Sequence, residues 1–147
     1  MNKVETSKKG FTIVELLVAI VVIGILVAIT IVSYGAIQQR ARDSERSSDV
    51  TQIKIALDKY YAEKSTYPIV CGGPYACVAG QLTNELAPYL KAVPHDPKHA
   101  LNSSSDYQYV ALEDGSGYGI RVQYEARDVC KSGQNMYTPW WSSIPTC

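Results

Sequence analysis

The sequence predicts an α+β protein in which a long N-terminal helix, first transmembrane and then amphipathic, packs against a small antiparallel β-sheet. Three observations support this class: an apolar run near the N-terminus, an amphipathic continuation without proline, and two later segments in which apolar and polar residues alternate. A chain of 147 residues has room for one head domain of ordinary size. This length excludes a large multidomain enzyme.

The apolar run covers residues 11–32 and contains one ionisable side chain, that of Glu15. As a helix these 22 residues would extend about 33 Å, and the hydrocarbon core of a bilayer is about 30 Å thick. The preceding residues 1–10 carry three lysines and one acid. Because short, positively charged ends tend to stay in the cytoplasm, we expect a single-pass membrane protein whose residues after 32 lie outside.

The segment 33–64 should continue the same helix, because it contains no proline and a single glycine, Gly35. Apolar side chains recur in it at steps of three and four, which predicts one buried stripe: Val50, Ile53, Leu57 and Tyr60. Charged side chains of both signs precede the stripe and predict a salt-bridged face: Arg40, Arg42, Asp43, Glu45, Arg46 and Asp49. With a formal net charge of zero, the chain has no overall field for nucleic acid, so charge does not support DNA binding.

Residues 65–147 are predicted to form a globular head. Pro68 ends the long helix, and a short helical pattern follows over 81–93. Apolar and polar residues then alternate over 107–113 and 118–126, on either side of the turn sequence Asp-Gly-Ser-Gly. This pattern predicts a β-hairpin, one face of which would lie on the apolar stripe of the helix.

All four cysteines follow the membrane segment, in a compartment that we expect to be oxidising. Two disulfides are therefore predicted, and we favour the nearest-neighbour pairs Cys71–Cys77 and Cys130–Cys147, because these close short, independent loops. In the chain-entropy model the two loops would contribute roughly 2.4 and 3.2 kcal/mol. Zinc ribbons space their cysteines by two to four residues, whereas the gaps here are five and sixteen, so we expect neither a metal nor a cofactor.

The remaining polar and aromatic side chains point to no enzyme. His95 and His99 have the spacing of a helical zinc pair, but Pro97 between them prevents a helix, which favours a solvated loop. No nucleophile motif accompanies these histidines. Most aromatic residues should pack in the core. An alternative for Trp140 and Trp141 is a ligand-contacting tip on the C-terminal loop.

Glu15 is the residue with the most information about function. A carboxylate inside a membrane costs about 2.5–3.5 kcal/mol on insertion scales unless a cation lies nearby. If the chain is cut after Gly10, the new α-amino group of Phe11 lies one helical turn from Glu15, and in a bundle it could neutralise the Glu15 of a neighbouring copy. Alternatively, Thr12 and Glu15 form a capping box that starts the helix. The residue chemistry leaves both interpretations open.

A family resemblance rests on Lys-Lys-Gly at 8–10, followed by Phe-Thr-Ile-Val-Glu and a long apolar helix. This motif resembles the leader and N-terminal helix of type IV pilins and of the pseudopilins of type II secretion and competence systems. The sequence YYAEKSTYP at 60–68 is more loosely similar to the end of the first helix in this family. The Pro-His-Asp-Pro run at 94–97 before a tyrosine-rich hairpin is similar to the major pseudopilin pattern.

The resemblance implies a pilin fold and a role for three residues. Gly10 would be the last residue removed by a prepilin peptidase, Phe11 the new, methylated N-terminus, and Glu15 the acid that pairs between subunits. The resemblance also implies that the mature chain polymerises with other copies of itself, in contact with membrane lipids and an assembly platform.

Three functions follow from these expectations. The first is a prepilin that polymerises into a type IV pilus-like surface filament used for adhesion, motility or DNA uptake. The second is a pseudopilin of a type II secretion or competence system. The third, from a different class, is a membrane-anchored extracellular binding module that never polymerises.

Overall fold

The computed structural model describes residues 10–71, 75–100 and 105–147. The predicted leader apart from Gly10, the turn residues 72–74 and most of the polar connector at 102–104 lie outside these ranges. The chain divides after Gln38 into two compact units, which are described separately below.

Helix α1 spans Ile13–Lys64 and confirms the prediction of one long N-terminal helix. The helix begins directly after Thr12. At its C-terminal end, the Ser65 amide donates a hydrogen bond to the Tyr61 carbonyl at 2.7 Å. Ser65 has a φ of 57°, the left-handed conformation that commonly ends a helix. Three residues later Pro68 prevents a return to helix.

The described residues of the head after α1 form short elements. In chain order they are β1 (Cys77–Val78), a 3-10 turn (Ala79–Leu82), α2 (Thr83–Leu86), β2 (Gln108–Ala111), β3 (Tyr118–Val122) and β4 (Cys130–Gln134). The helical pattern predicted over 81–93 is thus wrong in its length. Pro88 has no amide hydrogen with which to continue the helix, and the chain turns there.

The sheet has four antiparallel strands in the order β1-β2-β3-β4. The predicted hairpin is confirmed as β2 and β3, with Tyr109 opposite Ile120 and Ala111 opposite Tyr118. Strands β1 and β4 were not predicted. The first has two residues, and the second, Cys-Lys-Ser-Gly-Gln, has no alternating apolar face that a sequence pattern could reveal.

The core of the head lies between the sheet and the second part of α1. Ile53 and Leu57 are fully buried in one cluster with Tyr107, Tyr109 and Ile120 from the hairpin. Leu82 and Leu86 close the same cluster beside the helix. The apolar stripe predicted for α1 therefore packs on the predicted face of the hairpin, which confirms the α+β class.

Candidate assembly site

The first part of α1 presents apolar side chains on every side. Their exposed fractions run from 48% at Val22 to 84% at Ile13. Among the described residues, α1 is the one helix that is long and apolar enough to cross a membrane, judged by length and composition. A surface of this kind requires lipid or other apolar helices around it.

Glu15 forms a capping box with Thr12 at the start of this helix. The Thr12 amide and Oγ1 donate to Glu15 Oε2 at 2.8 and 2.7 Å, and the Glu15 amide donates to Thr12 Oγ1 at 3.2 Å. In the isolated chain, Thr12 and Glu15 therefore form a capping box, which was one of the two predicted interpretations. Both hydrogen bonds received by the carboxylate end on Oε2, and Glu15 remains exposed, so the cap leaves the carboxylate accessible to a second chain.

Gly10 and Phe11 precede the helix in a non-helical, exposed segment. The Phe11 side chain is 88% exposed. An extended and accessible backbone is what a peptidase needs at its cleavage site. The predicted roles of both residues in processing stay predictions.

The charged residues of the head form a network around Arg46, whose side chain is 2% exposed. Its guanidinium lies 2.6 Å from Asp96, 2.7 Å from Asp43 and 2.9 Å from Glu125. Arg42 adds a bidentate contact to Glu125, with both distances at 2.7 Å. The predicted salt-bridged helix face is present, since Arg46 pairs with Asp43 one turn earlier. The loops supply two further acids, Asp96 and Glu125.

Hydrogen bonds determine the charge state of this network. The Arg42 guanidinium, with help from Lys98 and Arg46, lowers the pKa of Glu125 far below its ordinary value, although burial opposes the shift. Burial alone would raise the pKa of Asp43. The backbone amides of Glu125 and residue 126, together with Arg46, lower it instead. Both acids are therefore ionised at neutral pH and fix the loop on the helix.

Two disulfides close loops of the head, between Cys71 and Cys77 and between Cys130 and Cys147. These are the pairs favoured by their spacing in the sequence. The second one fastens the C-terminus to β4, where the Lys131 amide donates to the Pro145 carbonyl and the Cys147 amide donates to the Lys131 carbonyl, both at 2.9 Å.

The tryptophans of the C-terminal loop cover the sheet. Trp140 is 8% exposed, as expected for an aromatic residue of the core, and Trp141 is half-buried. The alternative of a fully exposed tryptophan pair is therefore wrong. A side chain at Gly119 would lie 3.4 Å from the Trp140 ring and 3.1 Å from the Trp141 ring, so the missing Cβ admits both rings. Trp140 also borders an open pocket beside the hairpin turn, and a ligand contact there stays a prediction.

His95 and His99 lie outside helices and strands, as the intervening Pro97 predicts. Both side chains are partly exposed, in agreement with the predicted solvated loop, and their rings stack with centroids 4.5 Å apart. Asp106, a residue that the sequence pattern does not connect with them, lies beside both rings. A helix is one way to bring two histidines together at this spacing, and here a turn does the same.

An apolar helix with an acid in its first turn, together with a head of helix, four-stranded antiparallel sheet and two disulfides, defines a pilin-like α+β protein. Residues 6–31 match the family model of the prokaryotic N-terminal methylation motif. The type II secretion system core protein G of Pseudomonas aeruginosa is 30% identical over 71% of this chain and 75% of its own length. The chain therefore belongs to the family of type IV pilins and type II secretion pseudopilins.

Two further relatives show the range of this family. The type II secretion system core protein G of Vibrio cholerae serotype O1 is 29% identical over 74% of each chain. The fimbrial protein EcpC of Eikenella corrodens is 35% identical over 54% of this chain and 53% of its own length. No solved structure matches the chain significantly.

Proposed function

We propose that this chain is a structural subunit that is cleaved after Gly10 and polymerises through its apolar helix into a pilus-like filament. The observation that carries the proposal is the helix surface exposed on every side, which begins at a capped but accessible Glu15. Packing these helices side by side would cover the apolar surface. The chain has no need of catalysis for this role, and we propose none.

If the helices of several copies pack side by side, the new N-terminus would have a role in assembly. After cleavage, the α-amino group of Phe11 is a cation one turn away from Glu15. Within the filament, this amine would neutralise the Glu15 carboxylate of a neighbouring copy. A buried pair adds little net stability, yet a mismatched stagger leaves a charge unpaired, so the pair selects one axial register.

Between the two kinds of filament, we favour a secretion pseudopilus. The similarity to core protein G extends over 71% of this chain and thus includes much of the head. A surface pilus used for adhesion, motility or DNA uptake is the second candidate, supported by the 35% identity to EcpC. An anchored binding module that never polymerises remains the third.

The partners and the location follow from the same role. Before cleavage, the chain would cross the membrane once, with its N-terminus in the cytoplasm and its head outside. Prepilin peptidase, membrane lipids and the assembly platform would be its partners at that stage. Other copies of the chain would surround it in the filament.

The mass of the assembled subunit tests this proposal. Filaments sheared from cells, or released from membranes, should contain a chain that begins at methylated Phe11. An uncut chain that starts at Met1 and is found only in membranes would refute the proposal and favour the anchored binding module. Deleting the gene should abolish protein secretion if the filament is a pseudopilus, and surface filaments alone if it is a pilus.

A further inference from the structure

Three side chains with metal-ligating atoms converge at one point of the head: His95, His99 and Asp106. Nδ1 of His95 lies 2.8 Å from Oδ2 of Asp106, and Nδ1 of His99 lies 3.2 Å from the same oxygen. The three ligand atoms are all within 4.8 Å of one another. A single carboxylate oxygen thus faces two imidazole nitrogens.

The Asp106 carboxylate is held in place from its other side. Its Oδ1 accepts hydrogen bonds from the amides of Asp96 and Tyr107, at 3.0 and 2.9 Å. The side chain is 1% exposed. Because backbone amides fix Oδ1, Oδ2 remains directed at the histidines, as in metal sites whose ligands are oriented by surrounding hydrogen bonds.

The turn that carries the two histidines is also fixed. Asp96 accepts the His99 amide at its carbonyl, at 2.7 Å, and its carboxylate is paired with the buried Arg46. The His95 ring packs against Gly80, where a Cβ would lie 3.0 Å from the ring carbon Cε1. The two rings therefore approach Asp106 from a rigid loop that is linked to the core network.

One atom of the cluster lacks the partner that its burial requires. Within the part of the chain that the structure describes, Nδ1 of His99 is buried and makes no hydrogen bond. Its 3.2 Å separation from Asp106 is therefore a contact whose geometry does not satisfy it. Buried polar atoms without a partner are rare in folded proteins, and a bound ion satisfies such a nitrogen as a hydrogen bond would.

We propose that Nδ1 of His95, Nδ1 of His99 and Oδ2 of Asp106 bind a divalent transition-metal ion such as Zn²⁺. Zinc bonds to nitrogen and oxygen are 2.0–2.2 Å long, so ligand atoms around a tetrahedral ion lie about 3.3 Å apart. The 3.2 Å separation of His99 from Oδ2 is close to this value. His95 is hydrogen-bonded to Oδ2 at 2.8 Å, so the ion would replace that hydrogen bond and widen this separation. The ion would accept the lone pair of the His99 nitrogen.

The ligand types determine which ion fits. Two imidazoles and one carboxylate suit zinc and its neighbours, whereas calcium prefers six to eight oxygen ligands. The histidine side chains are 47% and 40% exposed. A fourth coordination position is thus open to water or to a donor from another chain. The site is independent of the proposed role in filaments.

Titration of the full chain with Co²⁺, in detergent and after removal of metals by a chelator, tests the site. One equivalent should bind with the visible absorption of a tetrahedral ion, and Zn²⁺ but not Ca²⁺ should displace it. His95→Gln and His99→Gln should each weaken binding at least about tenfold. Asp114→Asn, which removes an exposed carboxylate in the hairpin turn, should leave the affinity unchanged.

Near-UV circular dichroism of each variant shows whether the head remains folded, which we expect because both histidines are partly exposed. Wild-type affinity in a folded His99→Gln variant would overturn the proposal. The absence of saturable binding by the wild-type chain would overturn it as well and would leave a plain histidine–carboxylate contact.

Discussion

At the scale of single residues, the head depends on a buried cation, Arg46, which the sequence pattern places on a salt-bridged helix face. Arg46 contacts acids from α1, from the 95–99 turn and from the loop after β3. The contacts to Asp96 and Glu125 join two loop segments to the helix. Charges with this degree of burial are tolerated only when every partner is present.

Replacing Arg46 by Met should therefore destabilise the head by about 3–5 kcal/mol, because Asp43, Asp96 and Glu125 would be left with an unbalanced negative charge. Guanidinium unfolding of the full chain in detergent, followed by tryptophan fluorescence, measures the change. Arg40→Met is the matched control: Arg40 lies on the same helix but is exposed, and its loss should stay within about 0.5 kcal/mol. Equal effects of the two substitutions would contradict the account.

The lowered pKa of Glu125 predicts a loss of stability in acid. A carboxylate whose pKa is lower in the folded state stabilises fully above its unfolded value, here 4.5, and this contribution disappears as the pH falls towards the folded pKa. As the pH is lowered from about 4.5 to about 3, the melting temperature of the wild type should thus decrease. The melting temperature of the Glu125→Gln variant should decrease less over the same range. Glu113→Gln, at an exposed site, should lose stability in acid as the wild type does.

At the scale of elements, the sequence pattern predicted the helix and strands whose apolar residues recur at regular spacing. It missed the strands that have no such spacing. The second part of α1 and the β2–β3 hairpin have apolar residues at helical or alternating spacing, because both bury one face. The first part of α1 was predicted from the length of its apolar run instead. Strand β4 is held by pairing with β3 and by a disulfide, and neither interaction produces a periodic pattern of apolar residues in the sequence. The same limit applies to the Arg46 network and to the histidine cluster, whose partners are distant in sequence.

The disulfide between Cys130 and Cys147 should be what keeps the tryptophan loop on the sheet. Replacing both cysteines by serine should cost about 3 kcal/mol, since the loop between them would regain its freedom in the unfolded chain. The near-UV signal of Trp140 should weaken while the far-UV helix signal persists. An unchanged near-UV spectrum would mean that packing against Gly119 suffices to hold the loop. Removing the Cys71–Cys77 disulfide, which closes a shorter loop, should cost less stability and serves as the comparison.

At the scale of the whole molecule, the chain combines a head that has a buried apolar core with a helix segment whose apolar side chains are exposed. The core accounts for the fold of the described residues after Gln38, and the exposed apolar residues before them support the proposed assembly. The long apolar helix and the capping box at Glu15 could be predicted from the sequence because their residues are adjacent in it. Cleavage after Gly10 stays a prediction. The contacts between copies involve no second segment of the same chain, so they remain a proposal.

The yield of sheared filaments from Glu15→Gln and Thr12→Val strains tests the central claim most directly. Thr12→Val removes the two hydrogen bonds of the capping box that use Thr12 Oγ1 and keeps the carboxylate. Glu15→Gln keeps a side-chain oxygen that can accept the Thr12 hydrogen bonds and removes the negative charge. If Glu15 pairs with the Phe11 amine of a neighbouring copy, Glu15→Gln should reduce the yield sharply at equal subunit levels, and Thr12→Val should retain most of it. A yield from the Glu15→Gln strain that equals or exceeds that of the Thr12→Val strain would leave Glu15 with its capping role and contradict the account.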